Sequence, residues 1–213
     1  MAVSVETEPE PEGAAEYFGD AVWTLLKDYA RILVSEGIDQ GVIGPHEAAR
    51  IFDRHILNST ALNTYIPDGS QVIDVGSGGG LPGLVIAITR PDVSMSLVEP
   101  LQRRSDFLTR TIHALGLSNV SVYRARSEDL FGKMLAPIVT ARGVSALHSL
   151  LGMTMPLVAP QGSLLALKGF RAGKEIDNAA RELKKSGALW ADVYEERVFA
   201  STQPTYVVEV RKK

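Results

Sequence analysis

The 213-residue chain has no cysteine and only four histidines. Without thiols, neither a disulfide framework nor a thiolate metal site can form. The histidines lie at positions 46, 55, 113 and 148, with no ligand spacing such as HExxH, so we expect no metal. No run approaches the roughly 18 apolar residues that span a bilayer. The first residues also lack the basic and apolar segments of a secretory signal. We therefore expect a cytoplasmic protein with no membrane partner.

The chain has fewer basic than acidic residues, with 22 Lys and Arg and 25 Asp and Glu. The excess acid lies at the start of the chain, where residues 1–20 hold six acidic side chains and no basic one. Taking these six from the 25 acids leaves 19 against 22 bases, so the rest of the chain carries +3. We expect residues 1–14 to form an acidic disordered tail. The mildly basic remainder is compatible with RNA as a partner.

Residues 15–64 are predicted to form a small N-terminal helical extension. Apolar positions recur with helical spacing over 15–37 and again over 46–64. Gly37, Gly41, Gly44 and Pro45 separate the two segments. Residues 65–213 are then expected to form one globular domain.

From residue 70 onwards, short apolar runs alternate with helical segments. Strands are predicted at 71–75, 93–98, 120–123, 137–140, 163–167, 189–200 and 206–210. Helices are predicted at 81–89, 101–116, 145–157 and 174–186. The last two strands have no helix between them, so they should pair antiparallel, whereas the alternation before them indicates parallel pairing. The predicted fold is α/β, with a mostly parallel seven-stranded sheet and a terminal antiparallel hairpin. This layout resembles the Rossmann-like class I methyltransferases.

The first predicted strand runs into a glycine loop, residues 74–83 (DVGSGGGLPG). Glycine is needed where the chain turns sharply off a strand and where backbone approaches a ligand. Pro82 suits the first turn of the next helix, whose free N–H groups would face that ligand. We interpret the loop as a nucleotide-type cofactor site, and a purely structural turn is the alternative.

The glycines alone do not separate two cofactors. Gly78, Gly80 and Gly83 satisfy GxGxxG, with Glu99 about 20 residues further on, as in dinucleotide sites. Asp74 instead completes DxGxGxG, which resembles methyltransferase motif I, and its carboxylate would suit the cationic amino group of S-adenosylmethionine. Glu99 serves either cofactor, because both contain a ribose diol. The terminal antiparallel pair also favours S-adenosylmethionine over a nicotinamide cofactor.

Four further strings make the resemblance more specific: 54–59 (RHILNS), 79–83 (GGLPG), and the strand ends 140–143 (TARG) and 166–169 (ALKG). Their order and spacing resemble the RsmG/GidB family over about residues 46–211. This resemblance implies methyl transfer from S-adenosylmethionine to nitrogen-7 of a guanine in 16S ribosomal RNA. The implied partner is 16S rRNA or the small ribosomal subunit, and we expect a monomer.

The motif and the resemblance together imply roles for individual positions. The cofactor-binding positions are Asp74, Gly76, Gly78, Leu81, Glu99, Ser127, Glu128 and Arg142. Arg142 also lies near the target base as a positioning residue, and no general base is expected, because guanine N7 needs no deprotonation. The RNA-binding candidates are Arg54, His55, Arg124, Arg126, Lys168 and Arg171.

Plainer interpretations stay open for several of these residues. Arg142 could simply pair with an acid at a strand end, and His55 could be a hydrogen-bonded core histidine. Arg103 and Arg104 are expected on a solvated helix face. Two other functions remain as alternatives: an oxidoreductase that uses a nicotinamide cofactor, and a non-catalytic RNA-binding assembly factor that retains a methyltransferase fold.

Overall fold

A seven-stranded sheet forms the centre of the computed structural model, which describes residues 8–199 and 202–213. The strands are β1 (Gln71–Val75), β2 (Ser94–Val98), β3 (Val120–Tyr123), β4 (Ala136–Arg142), β5 (Val158–Lys168), β6 (Ala188–Glu196) and β7 (Thr205–Lys212). Their order across the sheet is β3-β2-β1-β4-β5-β7-β6. The first five strands pair in parallel, and β7 runs antiparallel to both β5 and β6. The predicted parallel sheet with an antiparallel end is confirmed.

Helices cover both faces of this sheet. They are α1 (Ala14–Phe18), α2 (Asp20–Ile32), α3 (Asn58–Thr60), α4 (Gly83–Thr89), α5 (Gln102–Leu115), α6 (Leu147–Thr154), α7 (Ala172–Asn178) and α8 (Ala180–Lys185). Side chains of α2, α4 and α5 share one buried cluster, and those of α6 and α7 share a second cluster on the opposite face. Because both faces are covered, four of the five residues of β1 are buried, as parallel sheets require. No helix in the described part of the chain is long and apolar enough to cross a membrane.

The N-terminal extension is less regular than its sequence pattern predicts. The helix expected over 15–37 breaks at Gly19, which has φ 80° and ψ 147°, and it ends in a π-helical turn, Leu33–Gly37. The segment expected as one helix over 46–64 consists of a 3-10 turn (Pro45–Arg50), a π-helical turn (Ile51–Leu57), α3 and a 3-10 turn (Asn63–Tyr65). The Ser59 hydroxyl donates to the His55 carbonyl, and such side-chain bonds compete with regular helix.

Two acidic side chains of the predicted tail contact the folded extension. A Glu8 carboxylate oxygen accepts the backbone N–H groups of Phe52 and Asp53, at 2.7 and 3.1 Å. Trp23 Nε1 donates to Glu10 at 3.1 Å. These acids therefore complement free donors of the folded extension, and disorder over 1–14 stays a prediction. Residues 1–7 lie outside the described residues.

Candidate active site

The glycine loop after β1 depends on backbone conformations that favour glycine. Gly76, Gly78 and Gly80 have φ values of 69°, 56° and 97°, in the left-handed region. A Cβ at Gly76 would also lie 2.7 Å from Val144 Cγ2. The loop therefore presents bare backbone at the carboxyl end of the sheet, where α/β folds bind their ligands.

Asp74, at the end of β1, stabilises this loop through hydrogen bonds of its side chain. Its carboxylate is fully buried and accepts the Thr140 hydroxyl at 2.9 Å and the Gly83 N–H at 3.3 Å. Burial raises the pKa of this carboxyl to about 6, although the hydrogen bond from Thr140 acts in the opposite direction. The carboxylate faces β4 and the start of α4, and its contact with the cofactor's amino group stays a prediction. Because this carboxylate accepts it, the first N–H of α4 is not free for a ligand.

Glu99 ties the loop to the end of β2. It is 2% exposed, and its carboxylate accepts the N–H groups of Gly78 and Leu101, each at 2.9 Å. A carboxylate offers about four acceptor positions, so the two that remain fit a ribose diol. Ser127 and Glu128 follow β3 in a 3-10 turn, where the Ser127 hydroxyl donates to Glu128 at 3.2 Å. These three residues therefore lie on the β2–β3 side of the glycine loop.

A cleft of about 710 Å³ opens at the glycine loop, towards β4 and β5. Its wall includes Gly76, Gly78 and Leu81 from the predicted cofactor site, and Arg54, His55, Arg142 and Lys168 from the other predicted positions. Among the residues that the structure describes, Asp74, Glu99, Ser127 and Glu128 are not part of this wall. The wall of the cleft is therefore formed by the glycine loop on one side and by the ends of β4 and β5, where a methyl acceptor would lie, on the other.

Basic side chains dominate the wall of the cleft. Five are Arg or Lys and two are Asp or Glu: Arg50, Arg54, Arg104, Arg142 and Lys168 against Glu47 and Asp53. The chain as a whole carries −3, so this charge is local. A cleft lined by one sign of charge concentrates its field and attracts the opposite sign. The site therefore suits an anionic ligand.

Arg142 ends β4 at the centre of this wall. Its Nη2 donates to His55 Nδ1 at 2.9 Å, and its Nη1 donates to the Arg54 carbonyl at 3.1 Å. His55 Nε2 lies 2.7 Å from Glu47 Oε2, and the same oxygen is 3.3 Å from Arg54 Nε. His55 is 7% exposed, so the plainer interpretation of a hydrogen-bonded, buried histidine describes its contacts, although it also lies in the cleft wall.

The remaining RNA candidates lie in different environments. Lys168 lines the cleft, but its ammonium already contacts Glu175 at 2.8 Å and the Ser145 carbonyl at 2.7 Å. Arg124 and Arg126 are exposed in the loop after β3, away from the cleft wall. Arg171 is exposed beyond β5, with its guanidinium carbon 5.4 Å from the centre of the Phe170 ring.

Four charged residues of the cleft wall were not assigned to the site from sequence: Glu47, Arg50, Asp53 and Arg104. Arg104 was expected on a solvated face. It instead turns into the cleft, and its buried Nε has no hydrogen-bond partner among residues 8–199 and 202–213. Arg103, next to it, is exposed as expected. The helical spacing of α5 could have separated the two, because both residues three and four positions after Arg104 are buried apolar ones, Phe107 and Leu108, whereas Arg103 has the exposed Asp106 at the first of these positions.

The sheet order, the reversed β7 beside β5 and the glycine loop after β1 define the class as a Rossmann-like methyltransferase of class I. Solved structures support the fold. One of them, M. jannaschii TYW2 in complex with AdoMet, matches with a TM-score of 0.56 and 17% sequence identity, over 74% of each chain.

The chain belongs to the GidB family, described as rRNA small subunit methyltransferase G, whose model matches residues 23–196. A ribosomal RNA small subunit methyltransferase G of Pseudarthrobacter chlorophenolicus is 44% identical over 96% of this chain and 94% of its own length. A protein of the same description from Thermobifida fusca is 46% identical over 85% of this chain and 76% of its own. Of the two cofactors that the glycine loop left open, family membership favours S-adenosylmethionine.

Proposed function

We propose that this protein transfers a methyl group from S-adenosylmethionine to nitrogen-7 of a guanine in 16S ribosomal RNA, acting in the cytoplasm as a monomer. Family membership supports the methyltransferase activity and the ribosomal substrate. The choice of nitrogen-7 rests on the resemblance of the RHILNS, GLPG, TARG and ALKG strings to the family.

The observation that carries the proposal is the basic cleft that opens directly at the glycine loop. Phosphate contacts by Lys and Arg supply most of the affinity of proteins for nucleic acid. A net excess of three basic side chains in this wall supports phosphate contacts beside the cofactor loop. A small neutral acceptor would have no need of such a charge.

The predicted cofactor residues divide between the two sides of the loop. Glu99, Ser127 and Glu128 would hold the ribose and adenine from β2 and β3, while Gly76, Gly78 and Leu81 supply close backbone and one apolar contact. Arg142 ends β4 and lines the cleft together with these loop residues. When bound, the cofactor supplies a sulfonium methyl, whose carbon–sulfur bond breaks as the bond to guanine N7 forms.

The proposal needs no side chain to remove a proton from the acceptor. Guanine N7 has an in-plane lone pair outside Watson–Crick pairing, so it attacks without deprotonation. Within the described wall, the groups that could accept a proton are already bonded: His55 contacts Glu47 and Arg142, and Asp53 accepts the Gln203 N–H at 3.1 Å. The residues therefore act by proximity and alignment.

The predicted RNA-binding residues fall into two groups, one close to the reacting atoms and one further away. Arg54, His55 and Lys168 lie in the cleft wall, close to the target nucleotide. Arg124, Arg126 and Arg171 are exposed beyond the ends of β3 and β5, at the same edge of the sheet, where they could reach flanking phosphates. Sequence-specific RNA enzymes act on loops and splayed bases, because the A-form major groove is too narrow to enter.

Transfer of tritium from labelled S-adenosylmethionine tests the proposal. Small-subunit particles and naked 16S rRNA, both from a strain lacking this protein, serve as parallel acceptors. Label should enter the RNA with the wild-type protein, and Arg142→Ala should reduce incorporation by about 100-fold, a size typical of a misplaced reactant. Unchanged transfer by the variant would show that Arg142 has no role in the reaction.

Two results would favour the alternatives. Binding of a nicotinamide cofactor in preference to S-adenosylmethionine, measured by calorimetry, would support an oxidoreductase. Tight RNA binding with no label in either acceptor would support an assembly factor. Sedimentation at the mass of a dimer would contradict the monomer.

A further inference from the structure

Three side chains from separate segments form a continuous chain of contacts in the cleft wall. The Glu47 carboxylate, from the 3-10 turn Pro45–Arg50, is 2.7 Å from His55 Nε2. His55 Nδ1, on the other edge of the ring, is 2.9 Å from Arg142 Nη2. The N-terminal extension therefore contacts the central strand β4 through one imidazole.

The partners of His55 determine which of its nitrogens carries the proton. An arginine guanidinium has donors only, so the Nδ1 that faces Arg142 must be the unprotonated acceptor. The proton of the neutral ring is then on Nε2, where it is donated to the Glu47 carboxylate. Each member of the chain thus has its donor or acceptor role fixed by the next.

We propose that Glu47 and His55 are positioning residues that hold the Arg142 guanidinium in one orientation over the cleft, in addition to any contact with RNA. This rests on the proposed function, because the side chain that they orient, Arg142, is assigned its role there. The Arg54 carbonyl, 3.1 Å from Arg142 Nη1, supplies the second fixed point. Two acceptors on different guanidinium nitrogens define both the direction and the rotation of a planar group.

Charges around the ring keep it neutral. Burial and the positive charge of Arg142 lower the pKa of His55 to about 4, with Arg54 acting in the same direction and Glu47 in the opposite one. The imidazole thus remains an acceptor for Arg142 at any ordinary working pH. A protonated ring would present a donor to a donor and would release the guanidinium.

Substitutions of His55 and Glu47 test this series of contacts. His55→Ala removes both contacts, and we expect kcat for methyl transfer to fall about 100-fold, as when a reacting group is misplaced by about 1 Å. His55→Asn leaves an amide oxygen near the position of Nδ1, so it should recover part of that loss. Because Arg142 is expected to act on the aligned complex, the change should appear in kcat more than in the dissociation constant of S-adenosylmethionine.

Glu47 provides the more stringent comparison. Glu47→Gln retains an acceptor for Nε2–H and should keep kcat within about 3-fold, whereas Glu47→Ala should lower it by about 10-fold, the lower end of what lost supporting hydrogen bonds cost. Glu36→Ala is the matched control, because Glu36 forms its ion pair with Arg110 at 4.0 Å outside the cleft and should leave kcat unchanged. Equal kcat for wild type, Glu47→Ala and His55→Ala would overturn the proposal.

Nitrogen-15 NMR of the four histidines gives a readout that does not depend on activity. His55, assigned as the signal lost in His55→Asn, should show the Nε2–H tautomer and should not titrate between about pH 5.5 and 8, unlike an ordinary histidine. An Nδ1–H ring, or titration near the usual value, would refute the chain of contacts even if methyl transfer were observed. The NMR result stands equally if no RNA is methylated, so the two proposals can fail separately.

Discussion

Removing the hydroxyl of Thr140 should destabilise the protein by an amount that depends on pH. Thr140 is fully buried on β4, directly opposite Asp74 on β1, and its Oγ1 donates to Asp74 Oδ1 at 2.9 Å. Thr140→Val replaces this donor with a methyl group of similar shape. The Asp74 carboxylate then loses one of its hydrogen bonds in a site that water does not reach.

The magnitude follows from the ionisation of Asp74. Its pKa is raised from 3.8 to about 6, so the folded state binds the proton more tightly than the unfolded chain. Stability therefore falls as pH rises from about 4 to 6, and a penalty of about 3 kcal/mol, at about 1.4 kcal/mol per pKa unit, is fully present above that window. At pH 8 the lost bond is to a charged group and should cost about 1.5–3 kcal/mol, whereas at pH 4.5 it is to a neutral carboxyl and should cost about 1 kcal/mol.

Urea unfolding of wild type and Thr140→Val at pH 8 and pH 4.5 measures this difference. Thr140→Ser is the matched control, because it keeps the donor and loses only a methyl group, at a cost of about 1 kcal/mol that should be the same at both pH values. If Thr140→Val lost the same free energy of unfolding at the two pH values, Asp74 would not be an ionised partner of Thr140.

Four further predictions concern the loop, helix α6 and the reaction. Tyr29→Phe removes the hydroxyl that donates to the Gly79 carbonyl at 2.7 Å, so it should lower stability by about 1 kcal/mol and weaken cofactor binding in calorimetry. Gly83→Ala should cost about 1–3 kcal/mol, because its Cβ would lie 2.4 Å from Leu97 Cδ2. Gly152→Ala, in α6 with open space around it, should instead stabilise the protein by about 0.5–1 kcal/mol in the same unfolding assay. The rate of the chemical step should be flat between about pH 6.5 and 9, and a sharp bell would reveal a proton-transferring group.

The sheet could be predicted from sequence because its signals are local. Each strand is a short apolar run that ends in polar or glycine residues, and the lack of a helix before β7 indicated the antiparallel end. The glycine loop was predicted for the same reason: the positive φ values of Gly76, Gly78 and Gly80 are a property of single residues. The glycine loop fits two cofactors, and the resemblance to the family then favoured S-adenosylmethionine.

The contacts of the site depended on the folded arrangement of distant segments. His55 contacts Arg142, which lies 87 positions further along the chain. The irregular turns between 45 and 65 bring His55 to this position, whereas the sequence predicted one helix there. The sequence placed Asp74 correctly at the end of β1 but did not show which way its side chain points. Arg104 was assigned to the wrong face of α5 because its neighbour Arg103 suggested a solvated pair.

Chemical cleavage of 16S rRNA tests the central claim most directly. Borohydride and aniline cleave RNA at 7-methylguanine, so particles from a strain lacking this protein are incubated with the protein and S-adenosylmethionine and then treated. The account predicts one new cleavage at a guanine, absent when either the protein or the cofactor is omitted. Methyl incorporation without any new cleavage would contradict it, because the acceptor would then be an atom other than guanine N7.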